Sequence, residues 1–135
     1  MKTSHPGAQI LPTDTIIDFG AYQGMFLSAV ARIWGCNCVA TDYSKSGISF
    51  AKHTLGFKDS WVTKDIYTDR YKEKVRFVTM IHVLEHLREP VRFLLHARRN
   101  ILTETGFLYI EVPNLYGIPL CDPCLLYTSP SPRDS

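Results

Sequence analysis

The sequence predicts an α/β protein built on a doubly wound parallel sheet. Three observations carry this. Short β-branched runs alternate with stretches of helical period, no hairpin signal joins one strand-like run to the next, and a glycine turn stands directly between the first strand and the first helix. Strand, helix, strand, helix without hairpins means parallel βαβ units.

The elements follow in order. Thr15-Ile16-Ile17-Asp18-Phe19 is a β-branched run ending at Gly20 and reads as a buried strand. Residues 25–34 carry apolar side chains at 25, 26, 29, 30, 33 and 34, a helical stripe, with Gly35 as its C-terminal cap. Residues 38–41 form a second strand, and Ser44 caps a helix that reaches Leu55 and is closed by Gly56. Residues 61–63 give a weaker third strand. Residues 75–81 form a fourth, apolar enough to be covered on both faces. Pro90 suits a first helical position and opens a helix through Leu102. Residues 103–106 make a turn and 107–112 a fifth strand, stopped by Pro113. No internal repeat is visible.

Composition bounds the function. A chain of 135 residues, 45% hydrophobic and 21% charged, is one globular domain with a core. Fifteen basic against thirteen acidic residues give no electrostatic footprint for nucleic acid or an anionic membrane. The longest uncharged apolar run, around residues 77–84, falls well short of the roughly 18 residues of a membrane span. Residues 1–12 hold one lysine and no apolar run, unlike a secretory signal, so the expected setting is soluble and cytoplasmic. Of the four cysteines, Cys36 and Cys38 flank one residue and form no bridge. Cys121 and Cys124 have C-x-x-C spacing without the helix start or second pair that redox or zinc chemistry needs.

The turn after the first strand is the first motif with chemistry. A dinucleotide fingerprint needs G-x-G-x-x-G, but here those positions hold Gly20, Tyr22 and Met25. A Walker loop needs a lysine that is absent. The pattern that fits is Asp18-x-Gly20-Ala21-Tyr22-x-Gly24, followed 18 residues later by Asp42 at the end of the second strand. A carboxylate there can accept both hydroxyls of a ribose.

On these residues the chain resembles the class I S-adenosylmethionine-dependent methyltransferases, whose first motif is usually D-x-G-x-G-x-G. Tyr22 stands in place of the middle glycine. The resemblance continues through His82-Val-Leu-Glu85-His86-Leu, Arg88-Glu-Pro90, Thr103-Glu-Thr-Gly106 and Phe107-Leu-Tyr-Ile-Glu-Val-Pro-Asn114, covering about residues 14–114 in unbroken order. Two further departures are Arg76, where an Asp is common, and Thr103-Glu-Thr-Gly106, where Lys-Pro-Gly-Gly is usual.

The resemblance implies a Rossmann-like fold with S-adenosyl-L-methionine as cofactor. Gly20, Ala21, Tyr22 and Gly24 would cradle the methionine part, with Asp18 near its ammonium. Asp42 would bind the ribose diol, Tyr43 would flank the adenine, Asp65 would accept from the adenine amino group and Ile66 would pack on the ring. His82 would line the floor, and Glu85 and His86 would shape the methyl-transfer side. His86 is the candidate general base because imidazole titrates near neutral pH. The acceptor implied is a small molecule or carbohydrate with an O, N or C nucleophile. The rivals are a binding module without turnover, an inactive gene fragment, and a zinc hydrolase using His82-x-x-Glu85-His86 on a long helix. No metal is expected.

The family's sheet has seven strands in the order 3-2-1-4-5-7-6, and five can be placed before Pro113. The expected organisation is therefore a lead-in over 1–13, a partial methyltransferase domain over 14–120 holding the cofactor half, and a disordered tail over 121–135. Within that tail, residues 124–134 match the in-frame translation of a transposon-type sequencing adapter and are expected to be read-through. The natural sequence is then expected to stop at or before Pro123.

Overall fold

A computed structural model describes residues 9–114. Residues 1–8, the Cys121–Cys124 pair and the whole adapter-like stretch lie outside them. The elements are β1 (Thr15–Phe19), α1 (Met25–Trp34), β2 (Asn37–Asp42), α2 (Lys45–His53), β3 (Trp61–Val62), β4 (Val75–Ile81), a 3-10 turn (Leu84–His86), α3 (Pro90–His96), a π-helical turn (Ala97–Ile101) and β5 (Leu102–Glu111). The strands form one parallel sheet in the order β3-β2-β1-β4-β5.

Alternation along the strands sends side chains to two cores. Ile16, Cys38, Ala40 and Phe77 face one way and are covered by Leu27 and Val30 of α1 and by Ile48 and Ala51 of α2. Ile17, Phe19, Val39, Val78 and Met80 face the other way, against Phe93 of α3 and Ala97 and Ile101 of the π turn. The Phe19 and Phe93 rings meet edge to face with centroids 5.2 Å apart. Both faces of β1 and β4 are thus buried, which is why these strands read as continuous apolar runs. Ser44 caps α2 by accepting from the Gly47 amide at 3.1 Å, as its position in the sequence implied.

Cys36 and Cys38 are buried free thiols, and burial pushes Cys38 up to about 12. Among the described residues no helix is long and apolar enough to cross a membrane.

The third strand is short for a visible reason. Only two residues pair with β2, and the Ser60 hydroxyl accepts from the Ala40 amide at 2.9 Å where strand pairing has not begun.

The region after α3 corrects the expectation of one helix to Leu102 followed by a turn. Phe93, Ala97 and Ile101 are all fully buried at intervals of four. That spacing overshoots the 3.6-residue α-turn, and a widened π turn keeps all three on the core side. Leu102 already pairs with Val75, so β5 begins five residues earlier than expected. Between that pair and Phe77–Phe107, β5 advances five residues while β4 advances two. Residues 103–106 are therefore an excursion inside the strand rather than a turn before it. Among the described residues β5 is an edge of the sheet.

Arg76, at the amino end of β4, pairs with Asp14 just before β1. Its Nη1 lies 2.8 and 3.1 Å from the two carboxylate oxygens, and Asp14 also accepts from the Leu11 amide at 2.7 Å. Asp14 is only 8% exposed, so losing the guanidinium leaves a largely buried charge without its counterion. Arg76→Met is expected to lower the unfolding free energy by about 1–3 kcal/mol in urea titrations. Adding Asp14→Asn should recover part of that loss, and a double variant as unstable as the sum of the two singles would show that the charges are not coupled.

Candidate functional site

β1 stops at Phe19, while β2 runs on to Asp42, and the loop after β1 stays tied to its neighbour. The Gly20 and Ala21 amides both donate to the Thr41 carbonyl, at 2.9 and 3.2 Å. The Tyr22 amide donates to Asp42 Oδ2 at 2.9 Å, and the Gly24 amide turns back onto the Ala21 carbonyl at 2.9 Å before α1 begins.

Gly20 has φ 78°, and a Cβ there would lie 2.3 Å from Val83 Cγ2, so glycine is required by conformation and by contact. Tyr22 has φ 51°. It occupies the middle-glycine position and takes up a glycine's left-handed conformation, at about 1–2 kcal/mol for a residue with a Cβ. Its side chain is 53% exposed.

One contributor was not visible as a site residue in the sequence. A Cβ on Gly47 would sit 2.8 Å from the Tyr22 carbonyl oxygen, so α2 and the loop touch backbone to backbone. A glycine inside a helical stretch was the available signal.

Two carboxylates stand beside this loop. Asp42 accepts one backbone amide on each oxygen, from Tyr22 on Oδ2 and from Ser44 on Oδ1 at 2.8 Å. A carboxylate oxygen has two acceptor sites, so one remains on each. Tyr43, next to it, is 61% exposed. Asp18 is 3% exposed and receives the Thr79 hydroxyl on Oδ1 at 2.7 Å. Burial pushes its carboxyl up to about 7; the Thr79 hydrogen bond works against that rise, and the negative charge of Asp42 adds to it.

After β3, Asp65 is exposed and accepts from the Tyr67 amide at 2.9 Å. Ile66, which the resemblance sets against the adenine ring, is 5% exposed and belongs to the core on the α3 side. The organiser of this loop is Asp69, whose carboxylate accepts from Trp61 Nε1 (3.1 Å) and from the amides of Lys64 (2.8 Å) and Asp65 (3.2 Å). Nothing in the sequence distinguished it from other loop acids.

After β4, His82 adopts φ 55°, donates its amide to the Glu111 carbonyl at 2.7 Å, and holds its ring 3.8 Å from the Glu111 carboxylate. Glu85 and His86 lie on the 3-10 turn. The His86 ring is exposed and makes no side-chain hydrogen bond among the described residues. Glu85 Oε1 is enclosed without a partner among them. A strand ending in a three-residue turn is not the long helix a zinc hydrolase needs to bring His82 and His86 to one face. Among the described residues no group of three or more His, Cys, Asp or Glu side chains could hold a metal ion.

All these segments follow the carboxyl ends of β1, β2, β3 and β4. The chain moves from β1 toward β2 and β3 on one side, and β4 and β5 lie on the other, so β1 and β4 flank the switch point of the sheet. Open α/β sheets bind ligands in the crevice outside that point.

Fold and site together define a class: a doubly wound α/β domain with a glycine loop and two carboxylates at its switch point. Residues 6–126 match the family described as methyltransferase domain, and the chain belongs to that family. No curated protein sequence matches it.

Solved structures share the fold. PKMT2 from Rickettsia typhi, in complex with AdoHcy, is similar with a TM-score of 0.61 at 19% identity, over 76% of this chain and 21% of that one. Coclaurine N-methyltransferase, bound to N-methylheliamine and SAH, gives 0.60 at 23% identity, over 76% and 32%. Geranyl diphosphate C-methyltransferase from Streptomyces coelicolor A3(2), in complex with Mg2+, geranyl diphosphate and S-adenosyl-L-homocysteine, gives 0.63 at 14% identity, over 76% and 41%. The chain thus spans between about a fifth and two fifths of the length of these proteins.

Asp18 gives the site a stability signature. In the unfolded chain its carboxyl titrates near 3.8, against about 7 in the fold. Between those values unfolding releases a proton, so stability falls as pH rises through the window and levels off above it. Asp18→Asn removes that dependence. It should stabilise the ligand-free chain by about 2–4 kcal/mol at pH 8 and by little at pH 4, read from urea unfolding at both. An equal change at the two pH values would show that the carboxyl is not its source.

Proposed function

We propose that this chain is the cofactor half of a methyltransferase that uses S-adenosyl-L-methionine and methylates an O, N or C nucleophile of a small-molecule or carbohydrate acceptor. The observation that carries this reading is Asp42, aimed by two backbone amides with an acceptor site open on each oxygen, beside a loop with backbone close to the switch point. A vicinal ribose diol offers two donors to such a pair of acceptors. The complexes of the three similar proteins with S-adenosylhomocysteine support the same cofactor.

The residues fit the cofactor's parts. Gly20 and Gly24 keep the loop free of side-chain bulk, and Tyr22 and Tyr43, both exposed, are the aromatic faces available to a nucleoside. Asp18 offers a carboxylate to an ammonium at the base of the loop. Asp65 is the exposed acceptor after β3, and His82 borders the crevice after β4. When bound, the cofactor supplies a sulfonium methyl carbon activated for in-line attack by an acceptor lone pair, the carbon–sulfur electrons leaving onto sulfur as the thioether. The chain's contribution is then positioning. The exposed His86 ring is the group we assign to take the acceptor's proton, with Glu85 in the same turn shaping its surroundings.

Calorimetry with S-adenosylhomocysteine tests the cofactor. The wild-type chain should bind, and Asp42→Ala should lose affinity by roughly ten- to hundredfold, the range for hydrogen bonds to a charged group. No binding by the wild type would overturn the reading. Binding by the complete protein without product across a broad acceptor panel would leave a cofactor-binding module in place of an enzyme.

A further inference from the structure

We infer that Thr79 is a positioning residue of the cofactor site: from β4 its hydroxyl holds one oxygen of the Asp18 carboxylate and leaves the other for the ammonium group of an amino-acid-bearing cofactor. The inference takes its ligand from the reading above and adds a residue and a device that the sequence did not mark.

Register and hydrogen bonding carry it. Thr79 is the register partner of Asp18 across β1 and β4, so the two side chains project to the same face of the sheet. Asp18's partner on the other side, in β2, is Ala40, which offers no donor. The 2.7 Å bond from Thr79 is the only side-chain hydrogen bond of Asp18 among the described residues. Asp18 Oδ2 receives no hydrogen bond among the described residues. A buried carboxylate with one oxygen fixed and the other free of partners among the described residues, at the end of the strand that leads into the glycine loop, is a directed acceptor.

The charged and titratable groups around it act one way. Asp42 and the Cys38 thiol, both on β2, couple to Asp18 as fellow acids. The residues of α1 and α2 buried on this face, Leu27, Val30, Gly47, Ile48 and Ala51, carry no charge. The Thr79 hydroxyl alone favours the ionised carboxylate against burial and against Asp42. Removing it leaves more of Asp18 protonated at neutral pH, and a neutral carboxyl attracts an ammonium weakly.

The experiment compares the full chain with Thr79→Val, which keeps the β-branched volume, and Thr79→Ser, which restores the hydroxyl. Two probes are titrated calorimetrically from pH 6 to pH 9: S-adenosylhomocysteine, and 5′-methylthioadenosine, which has the nucleoside and sulfur but no amino-acid end. Thr79→Val should bind S-adenosylhomocysteine roughly tenfold more weakly at pH 7 and approach the wild type at high pH. It should bind 5′-methylthioadenosine as the wild type does, and Thr79→Ser should recover most of the loss. Carbon-13 NMR of the Asp18 carboxyl, without ligand, should show its midpoint moved to higher pH in Thr79→Val.

Equal weakening of both probes would make Thr79 merely structural and overturn the inference. An unmoved Asp18 midpoint would overturn it too, whatever the ligand. Failure of the wild type to bind either probe would instead overturn the cofactor reading, and the inference with it.

Discussion

A parallel strand with a neighbour on each side has its backbone committed to the sheet for as long as both neighbours run alongside, and β1 ends before either of its own. β2 continues through Asp42 and β4 through Ile81, while β1 stops at Phe19. The chain leaving β1 therefore emerges into a notch walled by two longer strands. Its first amides have nowhere to go but the Thr41 carbonyl and the Asp42 carboxylate. The shape of the loop follows from this unequal length, and so does the place where a ligand can approach backbone.

The notch contains costs that the two cores offset. A carboxyl that titrates near 7 is a buried acid whose ionised form the fold disfavours. Tyr22 and His82 both carry left-handed backbone, and Glu85 Oε1 is enclosed without a partner among the described residues. Residues of this kind persist where surrounding structure over-determines them, and they gather at functional sites. Here they cluster at the carboxyl ends of β1 and β4. At the amino ends Asp14 is buried and answered by Arg76 and the Leu11 amide, while Thr103 Oγ1, near the start of β5, is enclosed without a partner among the described residues. The left-handed residues and the raised carboxyl, rather than unsatisfied polar atoms alone, set the carboxyl end apart.

Periodicity was enough to place β1, β4, α1 and the start of α2, though not the onset of β5. The β-branched runs at 15–19 and 75–81, the stripe at 25–34 and the Ser44 cap each depend on residues close in sequence, and each appears where it was expected. The features that escaped depend on partners far away in the chain. Nothing near Ile66 in the sequence shows that it shares a core with Phe19, Tyr71 and Phe93. The π turn needs Phe93, Ala97 and Ile101 all to face that core, which is a tertiary demand. Gly47 stood in plain view inside a helix, but its reason is the Tyr22 carbonyl 25 residues earlier. Thr79 is one of several polar residues on β-strands, and only the parallel register with Asp18 gives it a task.

Tyr22 shows why the loop motif tolerates change where it does. In D-x-G-x-G-x-G the middle glycine permits a left-handed turn at no steric cost. This chain pays that cost at Tyr22, because the conformation is imposed from outside: its amide is held by Asp42 and its carbonyl rests against α2. The need for a missing Cβ has not vanished. It is met at Gly47, where a methyl group would collide with the Tyr22 carbonyl, and at Gly20, where one would collide with Val83. The space a glycine opens can thus be supplied by the neighbouring element as well as by the loop. A loop held in that way can present an exposed aromatic ring at the crevice, which a glycine in the same position could not.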